Sequence, residues 1–235
     1  MLPLLILLTG HAPSAIRARH GDFDHWFRCA MKLPSSAVRV VDASSGAPLP
    51  APNTVVGAVI SGSAAMVTER APWSEAAAGW IRKAMDADLP LFGVCYGHQL
   101  MTHALGGRVG YLPEREIGTK EVVRLAATPV GGLPARFRAH TTHRQSVLEL
   151  APGSQPLAAS QQDPHQVIQY GPYAQSTQFH PEFSRDIMRA YVRLRAPQLR
   201  EEGLNIGALL RTSAATPLAR QLLRRFAQRA VARHT

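Results

Sequence analysis

Three observations predict an α/β fold of three layers, with a mostly parallel central sheet and helices on both of its faces. Short apolar runs alternate with helix-patterned segments through the first hundred or so residues, which implies βαβ units. One apolar run passes through a glycine-flanked turn directly into a helix. The length, 235 residues, suits a single domain.

The first run, Leu4–Leu8, reads as a buried strand. A secretory leader is the competing reading, but no basic segment precedes the run, and the turn-like Thr9-Gly10-His11-Ala12-Pro13 follows at once. Helical spacing covers residues 22–32, and Val38–Val41 forms a second strand. Ser44–Pro52, rich in Pro, Ser and Ala, reads as a surface loop. A third strand over Val55–Ile60 is followed by a helix over 73–87, with Trp80, Ile81, Ala84 and Met85 at helical spacing. Leu89–Val94 is the fourth strand. Beyond residue 107 the strands shorten: Gly118–Leu125, Phe137–Thr141, Ser146–Leu150, Val167–Tyr170 and Gln175–Phe179, an antiparallel or mixed pattern. Helices are predicted over 184–196, 203–213 and 216–232, with Pro197 and Pro217 as breaks or starts. The expected division is a main domain over 1–195 and a basic helical extension over 196–235 packed on it.

Two isolated cysteines, Cys29 and Cys95, are neither a disulfide framework nor a metal set. A reducing cytoplasm fits them, and no metal or organic cofactor is expected. No run is long enough to span a bilayer, so no membrane partner is expected. The net charge is +10, much of it beyond residue 185. Without interleaved aromatic residues or a nucleic-acid motif, this charge reads as a solvated basic face rather than a nucleic-acid surface. His11, His20 and His25 near Asp22 and Asp24 read as a solvated loop and helix start, Cys29 as a buried small hydrophobe, and Trp26, Phe27 and Trp80 as packing residues.

The sharpest local feature is Leu91-Phe92-Gly93-Val94-Cys95-Tyr96-Gly97-His98-Gln99. Glycines two residues either side of Cys95 suit a nucleophile elbow, a strained turn between strand and helix. There the helix N-terminus favours a thiolate, and the Tyr96 N–H points at the oxygen of a carbonyl under attack. Taken alone, the pattern fits an inert buried cysteine equally well. Gln178-Phe179-His180-Pro181-Glu182 shifts the balance. Pro181 biases His180 toward extended backbone, where residues two apart share a side, so Glu182 can orient the His180 ring. His180 would then exchange a proton with Cys95. His-x-Glu alone is also compatible with a metal fragment or a surface pair.

At these two motifs the sequence resembles the class I (triad) glutamine amidotransferases, and among them stand-alone proteins related to the amidotransferase domain of guanosine monophosphate synthase. The resemblance runs over about residues 4–190. It implies a flavodoxin-like three-layer sandwich with Cys95 as nucleophile, His180 as general acid/base and Glu182 as orienting carboxylate. It also implies that Gln99, one helical turn after Cys95, contacts substrate glutamine. Ile60-Ser61-Gly62-Ser63-Ala64 matches the family's oxyanion loop, where Gly62 and Tyr96 supply N–H groups. One glycine is kept, and Ser63, a candidate substrate contact, stands where the family commonly has proline. Thr141–Val147 resembles the family's loop of Ser-His-Gly-Asp type: His143, another candidate substrate contact, matches, while Arg144 and Gln145 depart. Arg115–Gly118 is a further candidate border of the pocket.

Neither a phosphate-binding Gly-x-x-x-x-Gly-Lys-[Ser/Thr] loop nor a Ser-Gly-Gly-x-Asp-Ser motif is present, so this chain cannot itself couple ATP to amination. Three functions remain: a glutaminase supplying ammonia to a separate acceptor (synthetase) protein, a free-standing γ-glutamyl peptide hydrolase, and a non-catalytic binding or regulatory protein on the same fold. L-glutamine or a γ-glutamyl compound is the expected ligand of the first two.

Overall fold

The computed structural model describes residues 2–127 and 133–233; Met1, the first residue of the apolar start, lies outside them. The first half runs β1 (Leu4–Leu8), α1 (Ser14–His20), α2 (Phe23–Met31), β2 (Val38–Asp42), β3 (Gly57–Ile60), α3 (Pro72–Asp86), β4 (Leu91–Val94) and α4 (Tyr96–Ala104). The second runs β5 (Arg108–Arg124), β6 (Arg136–Glu149), β7 (Gln155–Ala159), β8 (Val167–Gln169), β9 (Ala174–Thr177), α5 (Arg185–Leu194), α6 (Ala196–Glu201), α7 (Ile206–Thr212) and α8 (Pro217–Ala232).

All strands among the described residues join one sheet in the order β2-β1-β3-β4-β9-β8-β7-β5-β6. Every residue of β1 is buried, and its side chains alternate between two cores. Leu4, Ile6 and Leu8 pack with α2 and α8 on one face; Leu5 and Leu7 pack with α3 and α4 on the other. Helix α2 buries Phe23, Trp26, Phe27, Ala30 and Met31 along one stripe. Cys29 falls off that stripe and is exposed, contrary to the expectation of a buried hydrophobe. Helices α3 and α8 each open with proline at the first position, where the missing N–H costs nothing.

The expectation of a mostly parallel sheet is not met. The joins β2-β1, β1-β3, β3-β4 and β4-β9 are parallel, while β9-β8, β8-β7, β7-β5 and β5-β6 are antiparallel. The long β5–β6 ladder makes the sheet mostly antiparallel by paired residues. The reason is the spacing of strands beyond residue 107. Parallel neighbours need crossovers of about a dozen residues or more, usually a helix, and no helix lies between β5 and β9 among the described residues.

Boundaries differ in instructive places. The strand expected from Gly118 begins at Arg108, and it carries a register irregularity between Tyr111 and Glu116, around Pro113. The two strands expected at 137–141 and 146–150 are one strand, β6, so Thr141–Val147 is ladder rather than loop. The predicted helix over 184–196 divides into α5 and the start of α6. Residues 196–233 are not a free tail: Leu222, Leu223 and Phe226 of α8 share a core with Leu4 and Phe92. No helix of the described residues is long and apolar enough to cross a membrane.

Candidate functional site

The site lies at the carboxyl ends of the parallel strands, where α/β sheets place their crevices. Strand β4 ends at Val94 and α4 begins at Tyr96, so the whole reversal falls on Cys95, at φ 53° and ψ −99°. A non-glycine residue pays for that conformation, which persists only where packing enforces it. Here the enforcement is close backbone contact. A Cβ on Gly97 would sit 2.4 Å from the Ile60 carbonyl oxygen, and one on Gly93 2.5 Å from the Gly97 carbonyl oxygen.

Because β9 runs parallel to β4, with Val94 opposite Thr177, the two chain segments leave the sheet side by side. Cys95 N–H donates to the Thr177 carbonyl at 2.8 Å, and His180 N–H donates to the His140 carbonyl of β6 at 2.7 Å. The His180 ring stacks on Phe183, centroids 4.1 Å apart, with Phe23 beyond at 6.5 Å. Its Nδ1 lies 2.6 Å from Glu182 Oε1, and the ring lies beside the Cys95 side chain, both bordering Gly62 and lining one pocket. All three side chains are buried.

The electrostatics follow from that geometry. Burial pushes the His180 imidazolium down, but the carboxylate of Glu182 and the sulfur of Cys95 outweigh it and hold its pKa up, to about 10. Burial pushes the Cys95 thiol up, yet the positive His180 wins and the net shift is downward. The preferred state is a thiolate–imidazolium pair. His140, also buried, is driven the other way, to about 4, by burial and by the charges of His180 and Arg220.

Gly62 lies against this pair: a Cβ there would come within 3.0 Å of His180 Cε1 and 3.6 Å of Cys95 Cβ. Neither the Gly62 N–H nor the Tyr96 N–H donates to another protein group among the described residues. The loop holding Gly62 is fixed by Thr9, whose N–H donates to Ser61 Oγ at 2.9 Å and whose hydroxyl donates to the Ser61 carbonyl at 2.8 Å. Ser63, standing where proline is usual, accepts from Ala65 N–H at 3.1 Å. Its Oγ needs Gly10 beneath it, since a Cβ on Gly10 would sit 2.7 Å away.

A cleft of about 180 Å³ opens over Cys95, with Gln99, Ser63, His143 and Arg115 among its walls. Gln99 Nε2 donates to the Gln145 carbonyl at 2.7 Å and to Gln178 Oε1 at 2.9 Å. His143, on β6 opposite Glu116 of β5, has both ring nitrogens against acceptors: the Gln145 carbonyl at 2.9 Å and Glu116 Oε2 at 2.8 Å. Burial lowers its pKa, but Glu116 more than compensates. His143 is therefore held as an imidazolium whose nitrogens are already committed. Glu116 also accepts from Ser160 at 2.5 Å and from Gln166 at 2.6 Å. His11 bridges Asp22 and Asp42 at 2.8 and 3.0 Å, and it lines a small pocket together with Cys95 and His180.

Sequence reasoning named Gln178 and Gln145 only as motif residues, without a site role, and passed over Arg195; all three are close to the cleft or its network. Gln178 was legible as the residue two before His180. Arg195 carried no signal, being one arginine in an arginine-rich stretch.

The family model for class-I glutamine amidotransferase matches residues 31–193. A GMP synthase (glutamine-hydrolyzing) from Thermomicrobium roseum is 38% identical over 127 residues, covering 54% of this chain and 23% of that protein. Gamma-glutamyl peptidase 4 from Arabidopsis thaliana is 32% identical over 139 residues, covering 56% of this chain and 55% of that protein. The chain thus spans about a quarter to a half of these curated relatives. A Thermotoga maritima glutamine amidotransferase of known structure superposes with a TM-score of 0.78 at 20% identity, covering 98% of this chain and 99% of that one; at that identity it shows the fold alone.

Proposed function

This chain belongs to the class-I glutamine amidotransferase family, and on that premise we propose that it hydrolyses the side-chain amide of L-glutamine to glutamate and ammonia. The observation that carries the reading is the buried row Cys95–His180–Glu182 beside two unused N–H groups.

In this reading the Cys95 thiolate attacks the amide carbon, and the oxygen, now negative, is received by the N–H groups of Gly62 and Tyr96. His180 gives its proton to the departing ammonia, leaving a γ-glutamyl thioester on Cys95. Water, deprotonated by His180, then attacks the thioester; glutamate leaves and the thiolate returns. Glu182 fixes the His180 ring and supports its positive charge without itself changing bonds. Gln99 and Ser63 border the substrate at the cleft wall. His143 acts through its charge, since both of its nitrogens are occupied. No metal is required for these steps.

The ammonia acceptor is a synthetase unit outside these 235 residues. The support is that this chain matches only 23% of a GMP synthase and carries no ATP-binding motif of its own. Residues 196–233 belong to the same folding unit, supported by the shared core of α8. Free thiols at Cys29 and Cys95 suit a reducing cytoplasm. A second reading, hydrolysis of γ-glutamyl peptides, is favoured by the match to more than half of a γ-glutamyl peptidase.

The test is glutamate release by the purified chain from L-glutamine and from γ-glutamyl peptides, with Cys95→Ala as control. Turnover of glutamine that vanishes in Cys95→Ala, with the fold intact, is expected. Peptides turned over far better than glutamine would favour the second reading, and full activity of Cys95→Ala would overturn the mechanism.

A further inference from the structure

Three guanidinium groups, Arg115, Arg144 and Arg195, line the same cleft as Cys95. Glu202 accounts for two of them. It accepts from Arg115 at 2.9 and 3.1 Å and lies 3.9 Å from Arg144. The side chain of Arg195 makes no ion pair and no hydrogen bond among the described residues, and its Nε is buried without a partner. Its main chain is nonetheless held firmly at the α5–α6 junction, N–H to the Tyr191 carbonyl at 3.0 Å and carbonyl to the Leu199 N–H at 2.9 Å. Burial and the neighbouring Arg115 both disfavour its charge. A positioned, partly desolvated and uncompensated guanidinium costs free energy that a bound anion would recover.

We propose that Arg195 is the carboxylate receptor of the cleft, binding the α-carboxylate of the substrate while the γ-carbonyl carbon rests at Cys95. The inference rests on the glutaminase reading above and narrows it. Substrates must carry a free α-carboxylate, as L-glutamine and γ-linked peptides do. A glutamine whose α-carboxylate is tied up as an amide or peptide is excluded. The residue caps α5, the helix that follows His180 and Glu182 in the chain.

The test is alkylation of Cys95 by a diazoketone analogue of glutamine, followed by intact mass. A thioether forms as dinitrogen leaves, so the probe reports binding and thiolate together without needing turnover. The free acid is compared with its α-carboxamide in wild type, Arg195→Met and Arg195→Lys, with melting temperature as the check on folding. Wild type should label with the acid about ten to a hundred times faster than with the carboxamide, the range for a charge-assisted contact. Arg195→Met should slow the acid alone and erase the preference, and Arg195→Lys should keep part of it. Equal labelling by the two probes in wild type, a preference that survives in Arg195→Met, or no labelling by either probe overturns the proposal. Glutamate release is read on the same samples. An Arg195-dependent labelling preference without glutamine turnover would sink the glutaminase reading and leave the receptor standing; turnover with an Arg195-independent preference would do the reverse.

Discussion

Replacing Glu182 by Gln keeps the side chain's size and removes its charge from beside His180. The wild-type contact is short, 2.6 Å between Nδ1 and Oε1, and Glu182 is fully buried. A rise of the His180 pKa from 6.5 to about 10 corresponds to about 5 kcal/mol of net preference for imidazolium, at about 1.4 kcal/mol per tenfold. Glu182 and Cys95 share that preference against burial. Because burial opposes the rise, the leading contribution of Glu182 is at least roughly 2–3 kcal/mol, or on the order of a hundredfold or more in kcat if the pair must be charged to react. The pH dependence has a definite sign. A raised folded pKa means the ion pair persists up to about 10 and is lost as pH rises through it. In Glu182→Gln that alkaline limb moves to lower pH, and the thiol pKa rises as its positive partner weakens. The active window narrows from both sides. The assay is a pH–rate profile for glutamate release together with the rate of Cys95 alkylation by iodoacetamide. A kcat within about threefold of wild type and an unmoved alkaline limb would refute the reasoning.

Gly97→Ala should destabilise the fold, because its Cβ would meet the Ile60 carbonyl at 2.4 Å and backbone cannot yield cheaply. A cost of about 1–3 kcal/mol lowers Tm by about 2–4 °C for each kcal/mol, and an unchanged Tm would contradict the crowding. Glu116→Gln strips the partner from buried His143; removing one member of such a pair costs about 3–5 kcal/mol. The loss in Tm should be largest near neutral pH, shrinking as pH rises through the raised pKa of His143 or falls through the lowered pKa of Glu116. Glu116, His143 and Asp163 bring potential ligand atoms within 4.8 Å of one another. Their hydrogen bonds to Ser146, Ser160 and Gln166 argue for a polar network instead. Chelator treatment should therefore leave Tm and glutamate release unchanged, and a chelator-induced fall in Tm would identify a bound metal.

The parts legible in the sequence are those whose chemistry and backbone needs coincide. Gly93, Cys95 and Gly97 encode a turn that only small neighbours permit, so strand, elbow and helix were readable together. His180-Pro181-Glu182 encodes its own geometry within a few residues. The antiparallel half was harder because nothing local separates one long strand from two short ones. In β6, His143 and Gln145 are buried and Arg144 between them is exposed, the alternation of a strand. The likeness to a loop motif concealed that alternation. The mixed topology depended on the short connections between strands rather than on any residue. Cys29 was misplaced by a rotation about α2, a matter of which stripe faces the sheet.

The basic C-terminal segment shows why charge counts alone do not locate function. Read as composition, its arginines form a solvated face, and several do. Two do not. Arg220 of α8 donates to the Glu182 carbonyl oxygen at 3.0 Å, bracing the residue that orients His180. Arg195, at the end of α5, lines the cleft. Helix α8 reaches that position because Leu222, Leu223 and Phe226 lock it into the same core as β1 and β4. Its burial and its contact with the site are thus one fact, and removing 196–235 would take away core and support together. A truncated chain that kept native stability and an unshifted pH profile would show that Arg220 only decorates a site complete without it.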